Sequence, residues 1–221
     1  MATSTDLRQN IALASNVAAT LGILLIAGLW LKEVIFPPPG PLDPRAVADW
    51  EYYAKTGSAK TIGSEEAPVT VTVFSDFECP FSRSLSAEIA TLRARFPSEV
   101  KIVFRHFPLP RHENARPAAI AAECAHKQGR FTSMHDALFA AQDTLARVSW
   151  AALGQVAGVP DSSRFAQCLV SEDVALAIDL DFTAGERLGV EATPTVLVGQ
   201  WRIMGPADAT AMGALVRKSL P

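Results

Sequence analysis

The stretch Phe77-Glu78-Cys79-Pro80-Phe81-Ser82 places a cysteine just after the apolar run Val69–Phe74, where a strand should end and a helix begin. From Phe81 the apolar residues Phe81, Leu85, Ile89, Leu92 and Phe96 recur at the period of one helix face. Pro80 then falls in the first helical turn, where its missing N–H costs nothing. Cys79 therefore stands at a helix N-terminus, whose free N–H groups and positive dipole end favour an anion. The thiolate is the nucleophilic form of cysteine, so this is a setting for attack on disulfides. Glu78 works against it with a neighbouring negative charge; a Glu78 side chain turned to solvent would leave the helix terminus dominant.

Three residues on, where a dithiol site would carry its second sulfur, stands Ser82. One turn from Cys79, its hydroxyl is in reach of the sulfur, but it cannot form a disulfide. Such a site cannot hold an internal disulfide and cannot alone act as a two-electron oxidant. A mixed disulfide at Cys79 must be resolved by a thiol from elsewhere.

The other chemistry-bearing residues are few. Three cysteines, Cys79, Cys124 and Cys168, are an odd number. An oxidising compartment would give one pair and one free thiol, and the cytosol three reduced thiols. The histidines at 106, 112, 126 and 135 show no ligand spacing, so no metal is expected. His106 and His112 follow a strand that should border the site and read as structural. Thr193-Pro194 is either a trans proline opening a strand or a cis one marking a constrained turn.

Elements able to position these residues are legible along the chain. Apolar residues make up 49%, enough for a sizeable core, and a net charge of −3 without a basic block gives no support for nucleic-acid binding. Residues 69–75 and 100–107 read as strands, and 195–199 with 201–204 as a hairpin-like pair. Between them a helical tract runs from about Glu113 to Gly189, broken at Gly129, Val148–Ser149 and Gly158–Pro160. A helix over 207–219 closes the chain, and 45–57 fits a short amphipathic helix through Val47, Trp50 and Tyr53–Ala54. Two half-sheets thus flank a helical block.

Ahead of these, Ile11–Leu31 lacks any charged residue and is long enough for one membrane crossing. A cleaved signal peptide is the alternative. The lack of a small-x-small site before Lys32, and Trp30 at the membrane interface, favour an uncleaved anchor. Arg8 is offset by Asp6 and Lys32 by Glu33, so charge does not decide the orientation. Five prolines within residues 36–44 make a semi-rigid spacer.

The stretches "GSEEAPVTVTVFSDFECPFS", "VFRHFPL", "ARPAAIAAECAHKQGRFTSMHDALF", "FAQCL" and "GVEATPTVLVG" resemble the DsbA-like thiol-disulfide oxidoreductases of the thioredoxin superfamily, in the family's order over residues 60–221. Ser82, where the family has its second cysteine, is the departure. The resemblance implies an α/β thioredoxin fold over 60–107 and 176–221, with a helical insertion over 108–175. Before it would come a cytoplasmic N-terminus (1–10), a transmembrane helix (11–35) and a Pro-rich linker with a short helix (36–59). Location in the bacterial inner membrane with the domain in the periplasm follows by the same likeness. Cys79 and Ser82 take the catalytic positions, and Pro80, Phe81, Thr193 and Pro194 the substrate-binding ones. Thr193-Pro194 would be cis and face Cys79, its backbone pairing with an extended substrate as an added strand. Cys124 and Cys168 would form a second, non-catalytic disulfide. The partners implied are extracytoplasmic client proteins with cysteines; no cofactor is implied, with glutathione a candidate resolving thiol. A glutathione-dependent transferase or isomerase, and a non-catalytic peptide-binding module, are the competing readings.

Overall fold

The computed structural model describes residues 45–55, 60–204 and 207–221. The expected anchor and the Pro-rich spacer over 36–44 lie outside these residues. Among the described residues no helix is long and apolar enough to cross a membrane.

Strands β1 (Arg45–Ala46), β2 (Lys60–Gly63), β3 (Val69–Ser75), β4 (Val100–His106), β5 (Thr195–Val198) and β6 (Trp201–Met204) form one sheet in the order β1-β6-β5-β3-β4-β2. The central pair β3 and β4 is parallel, with Val69 opposite Val100 and Ser75 opposite His106. The other pairings are antiparallel. A parallel pair needs a crossover, and helix α2 (Pro80–Arg95) supplies it after α1 (Trp50–Lys55) has packed near β3. All seven residues of β3 are buried, which explains its unbroken Val/Thr/Phe composition: both faces of the sheet are covered.

One face carries α2 and the C-terminal α8 (Ala209–Ser219), whose Leu85, Ile89, Leu92, Met212 and Val216 join the core with Val71, Val73 and Val196. The helical tract resolves into α3 (Ala115–His126), α4 (Phe131–Ala140), a 3₁₀ turn (Gln142–Thr144), α5 (Trp150–Val156), α6 (Ser162–Cys168) and α7 (Glu172–Leu188). Ser149 caps α5 by accepting the Ala152 N–H, and Asp161 caps α6 by accepting that of Arg164 at 2.8 Å. Gly189, at φ 71°, closes α7 in the left-handed conformation glycine favours.

Four details differ from the sequence reading. The tract also breaks at Ala141 and at Leu169–Ser171, where no glycine or proline announces a stop. Of the segment 45–57, residues 50–55 are helical, whereas Arg45–Ala46 pairs with β6 instead. Lys60–Gly63 is a strand whose lysine hides its pattern. Phe81, set on the buried helix face by spacing, is 58% exposed, while its neighbour Ser82 takes the buried side of the first turn of α2.

Candidate active site

Cys79 is the N-cap of α2, with extended backbone (φ −77°, ψ 120°) and Pro80 at the first helical position. It is the free cysteine and is buried, and its thiol donates to the Thr193 carbonyl at 3.2 Å. The Thr193-Pro194 peptide bond is cis, and its carbonyl lies against the sulfur from the loop before β5. The Thr193 hydroxyl is buried without a hydrogen-bond partner. So Cys79, Thr193 and Pro194, far apart in sequence, meet at the C-terminal end of β3, with the exposed Phe81 ring beside them in the chain.

Ser82 is buried one turn along, but its oxygen accepts from the Asp76 N–H at 3.4 Å and makes no hydrogen bond to the sulfur. Nor does Glu78 turn to solvent. Its carboxylate accepts from the Asn114 backbone N–H at 2.6 Å and side-chain amide at 3.1 Å, which holds its charge on the start of α3.

Two groups that sequence reasoning missed hold the cysteine loop. Asp76 is buried and accepts from the N–H groups of Glu78 (2.7 Å) and Leu109 (2.8 Å), and meets His112 Nδ1 at 2.7 Å. Gln142, from the 3₁₀ turn, donates Nε2 to the carbonyls of Phe77 (2.7 Å) and Cys79 (3.1 Å). Neither has a spacing signal, because each partner is remote in sequence or part of the backbone.

A second polar cluster lies beside β4. Lys60 meets the Glu123 carboxylate and, at 2.5 Å, Asp181 Oδ2; Arg105 meets Asp181 Oδ1 at 2.8 Å. His106 faces Glu123 Oε1 at 3.3 Å. Burial, and then the Lys60 charge, lower the pKa of His106 and hold it neutral. Burial pushes Glu123 up, but the adjacent His106 ring and the Lys60 ammonium outweigh it and hold the carboxyl at about 2. His106, Glu123 and Asp181 could together offer three ligand atoms to a metal ion, but the Lys60 ammonium already stands among them as the cation. The set is built as an ion cluster.

Cys124 of α3 and Cys168 of α6 are joined by a disulfide. Both helices belong to the insertion.

A cis-proline carbonyl on a helix-capping cysteine, over a sheet with a parallel centre and a helical insertion, defines a thiol-disulfide site of thioredoxin type. Residues 55–218 match the Thioredoxin family. The chain belongs to that family, among its DsbA-like thiol-disulfide oxidoreductases. DsbA2 of Pseudomonas aeruginosa superposes with a TM-score of 0.60 at 27% identity, covering 75% of this chain and 96% of that one. BdbD of Bacillus subtilis gives a TM-score of 0.66 at 23% identity, over 74% and 95% of the two chains. Among curated proteins, a Na+/H+ antiporter NhaA of Mycolicibacterium gilvum is 37% identical over 155 residues, 68% of this chain and 25% of the antiporter. One from Salinispora tropica is 37% identical over 155 residues, 70% of this chain and 24% of its own length. The chain thus spans about a quarter of the antiporters it matches.

Proposed function

We propose that this protein is a membrane-anchored, periplasmic thiol-disulfide exchange protein that works through Cys79 alone. The observation that carries the reading is a single free thiol against a cis-proline carbonyl, with a serine in place of the second sulfur. The Cys79 thiolate attacks one sulfur of a client disulfide. A Cys79–client disulfide forms, the client's own bond breaks, and its other sulfur leaves as a thiolate that takes up a proton. A thiolate of the client, or of glutathione, then attacks the client sulfur and expels Cys79. If a different client cysteine does this, the client leaves with a rearranged disulfide and no net oxidation.

The Thr193 carbonyl that accepts the resting thiol is also the acceptor an extended client would use for its backbone N–H. Once Cys79 is ionised or bonded to a client, its S–H no longer competes and the carbonyl is released. The antiporter relatives support work at a membrane, since ion exchange between compartments requires one. The apolar span Ile11–Leu31 supports the anchor.

The test is trapping in cells. The unmodified protein should be recovered in reductant-sensitive adducts with clients, since Ser82 cannot resolve them. Cys79→Ala should abolish the adducts, and Ser82→Cys should shorten their lifetime and confer oxidase activity on a reduced dithiol. Ser82 lines a small pocket with Val73, Leu85, His135 and Phe139. Equal adduct yields from the wild type and Cys79→Ala would sink the reading.

A further inference from the structure

The residues before Cys79 are held from three sides. Asp76 is tied to Leu109 and His112, Glu78 to Asn114, and the carbonyls of Phe77 and Cys79 to the one carboxamide nitrogen of Gln142. The third hold differs in kind, because it reaches the backbone of the reactive residue itself. Gln142 is buried, and its neighbour Asp143 pairs with Arg83 in the first turn of α2 at 2.9 Å. The 3₁₀ turn therefore grips the chain on both sides of the sulfur.

We propose that Gln142 is a positioning residue for exchange at Cys79, acting from the helical insertion on the cysteine's own carbonyl. A primary amide nitrogen carries two N–H donors without a charge. It can bridge two carbonyls whose oxygens point the same way, which leucine and glutamate cannot do. The Cys79 carbonyl already accepts from the N–H groups of Ser82 (3.0 Å) and Arg83 (3.2 Å) in the first turn of α2. The added donor fixes the extended ψ of Cys79, and with it the sulfur's place at the Thr193 carbonyl. It also offsets the partial negative charge of the cysteine's own carbonyl when the thiolate forms. The titratable groups around the loop are Asp76 with His112, Glu78 turned to Asn114, Arg83 with Asp143, and His106 and His135 packed on the Phe77 ring; none of these side chains donates to that carbonyl.

This inference rests on Cys79 being the exchanging thiol, and the experiment separates the two. Full-length wild type, Gln142→Leu and Gln142→Glu are reacted with a dipyridyl disulfide, whose product absorbs even at acid pH, between pH 5 and 8. Thermal unfolding of each is followed in parallel. Gln142→Leu should react on the order of tenfold more slowly, the scale of one lost hydrogen bond. Gln142→Glu keeps the shape but, when ionised, turns oxygens toward oxygens, and should be slower still at pH 8. Its rate relative to wild type should climb toward one as the pH falls and the carboxyl regains an O–H donor. A role in folding alone would make that ratio follow the loss of stability seen in the unfolding scans, so a ratio that does so, a flat ratio, or wild-type rates in both variants, overturns the proposal. An unreactive wild type would instead overturn the exchange reading beneath it.

Discussion

At the scale of single residues, the molecule concentrates its risk in buried charge. Lys60, Arg105, Glu123 and Asp181 are each about as buried as a core leucine, and they balance one another as two cations and two anions. Removing one leaves its partner uncompensated in a medium that solvates it poorly. Lys60→Met should therefore cost roughly 3–5 kcal/mol, read as a lower midpoint in urea unfolding. A loss under 1 kcal/mol would mean that water or relaxation rescues the carboxylates. The same cluster sets an acid limit. His106 is held below its ordinary pKa, so the unfolded chain takes up its proton first and stability starts to fall as the pH drops through the ordinary histidine range. Glu123, lowered from 4.5 to about 2, adds stability that is fully present above 4.5 and lost as the pH falls toward 2. Urea midpoints against pH should thus decline in two stages, and Glu123→Gln should remove the second. The legibility of these residues was poor. A lysine in a short strand and a glutamate in an alanine-rich helix carry no spacing that ties them, and only the fold brings β2, α3 and α7 together.

At the scale of elements, α7 lies close enough to the sheet that its Gly185 admits no side chain. A Cβ there would come within 2.5 Å of the Phe107 ring and 3.1 Å of Phe74. Phe107 is itself buried and stacked on Phe182, with ring centroids 4.5 Å apart, so it has little room to yield. Gly185→Ala should destabilise by about 1–3 kcal/mol despite alanine's better helix propensity. A gain in melting temperature would show that the rings move freely. The disulfide ties α3 to α6 across a sequence separation of 44. The protein unfolded without reductant should present one alkylatable thiol, and three with it. Replacing both bridge cysteines by alanine should cost about 2–4 kcal/mol. The strands β3, β4, β5 and β6 and the crossover helix were readable because periodicity and β-branching coincide there. Strand β2, the 3₁₀ turn and the break at Leu169–Ser171 were not, since pairing and packing with distant segments decide them. Likewise the CPFS cysteine announced itself by its place between strand and helix, whereas Asp76 and Gln142 serve it through backbone groups that no residue pattern records.

For the whole molecule, the proposed location of the exchange chemistry rests on the sequence before Arg45. Expressed in a bacterium, the mature protein should keep its N-terminus and sediment with membranes, as an uncleaved span over Ile11–Leu31 requires. A mature chain starting near Phe36 in mass spectrometry would mark a signal peptide instead. Assembly of the domain depends on a choice made at its edge. Among the described residues β2 is an outermost strand of the sheet, held on one side only, by β4, and such a strand can slide along its neighbour. Its Lys60 faces inward, opposite Phe104, where the ammonium reaches Glu123 and Asp181. A slip of one residue would turn every β2 side chain to the other face. The ammonium would swing out and leave the Glu123 and Asp181 carboxylates with Arg105 as their one cation in the dry interior. Lys60 therefore acts as an indexing pin, permitting one alignment of the edge and penalising its neighbours. The inward charge also makes that edge a poor template for a strand from another chain.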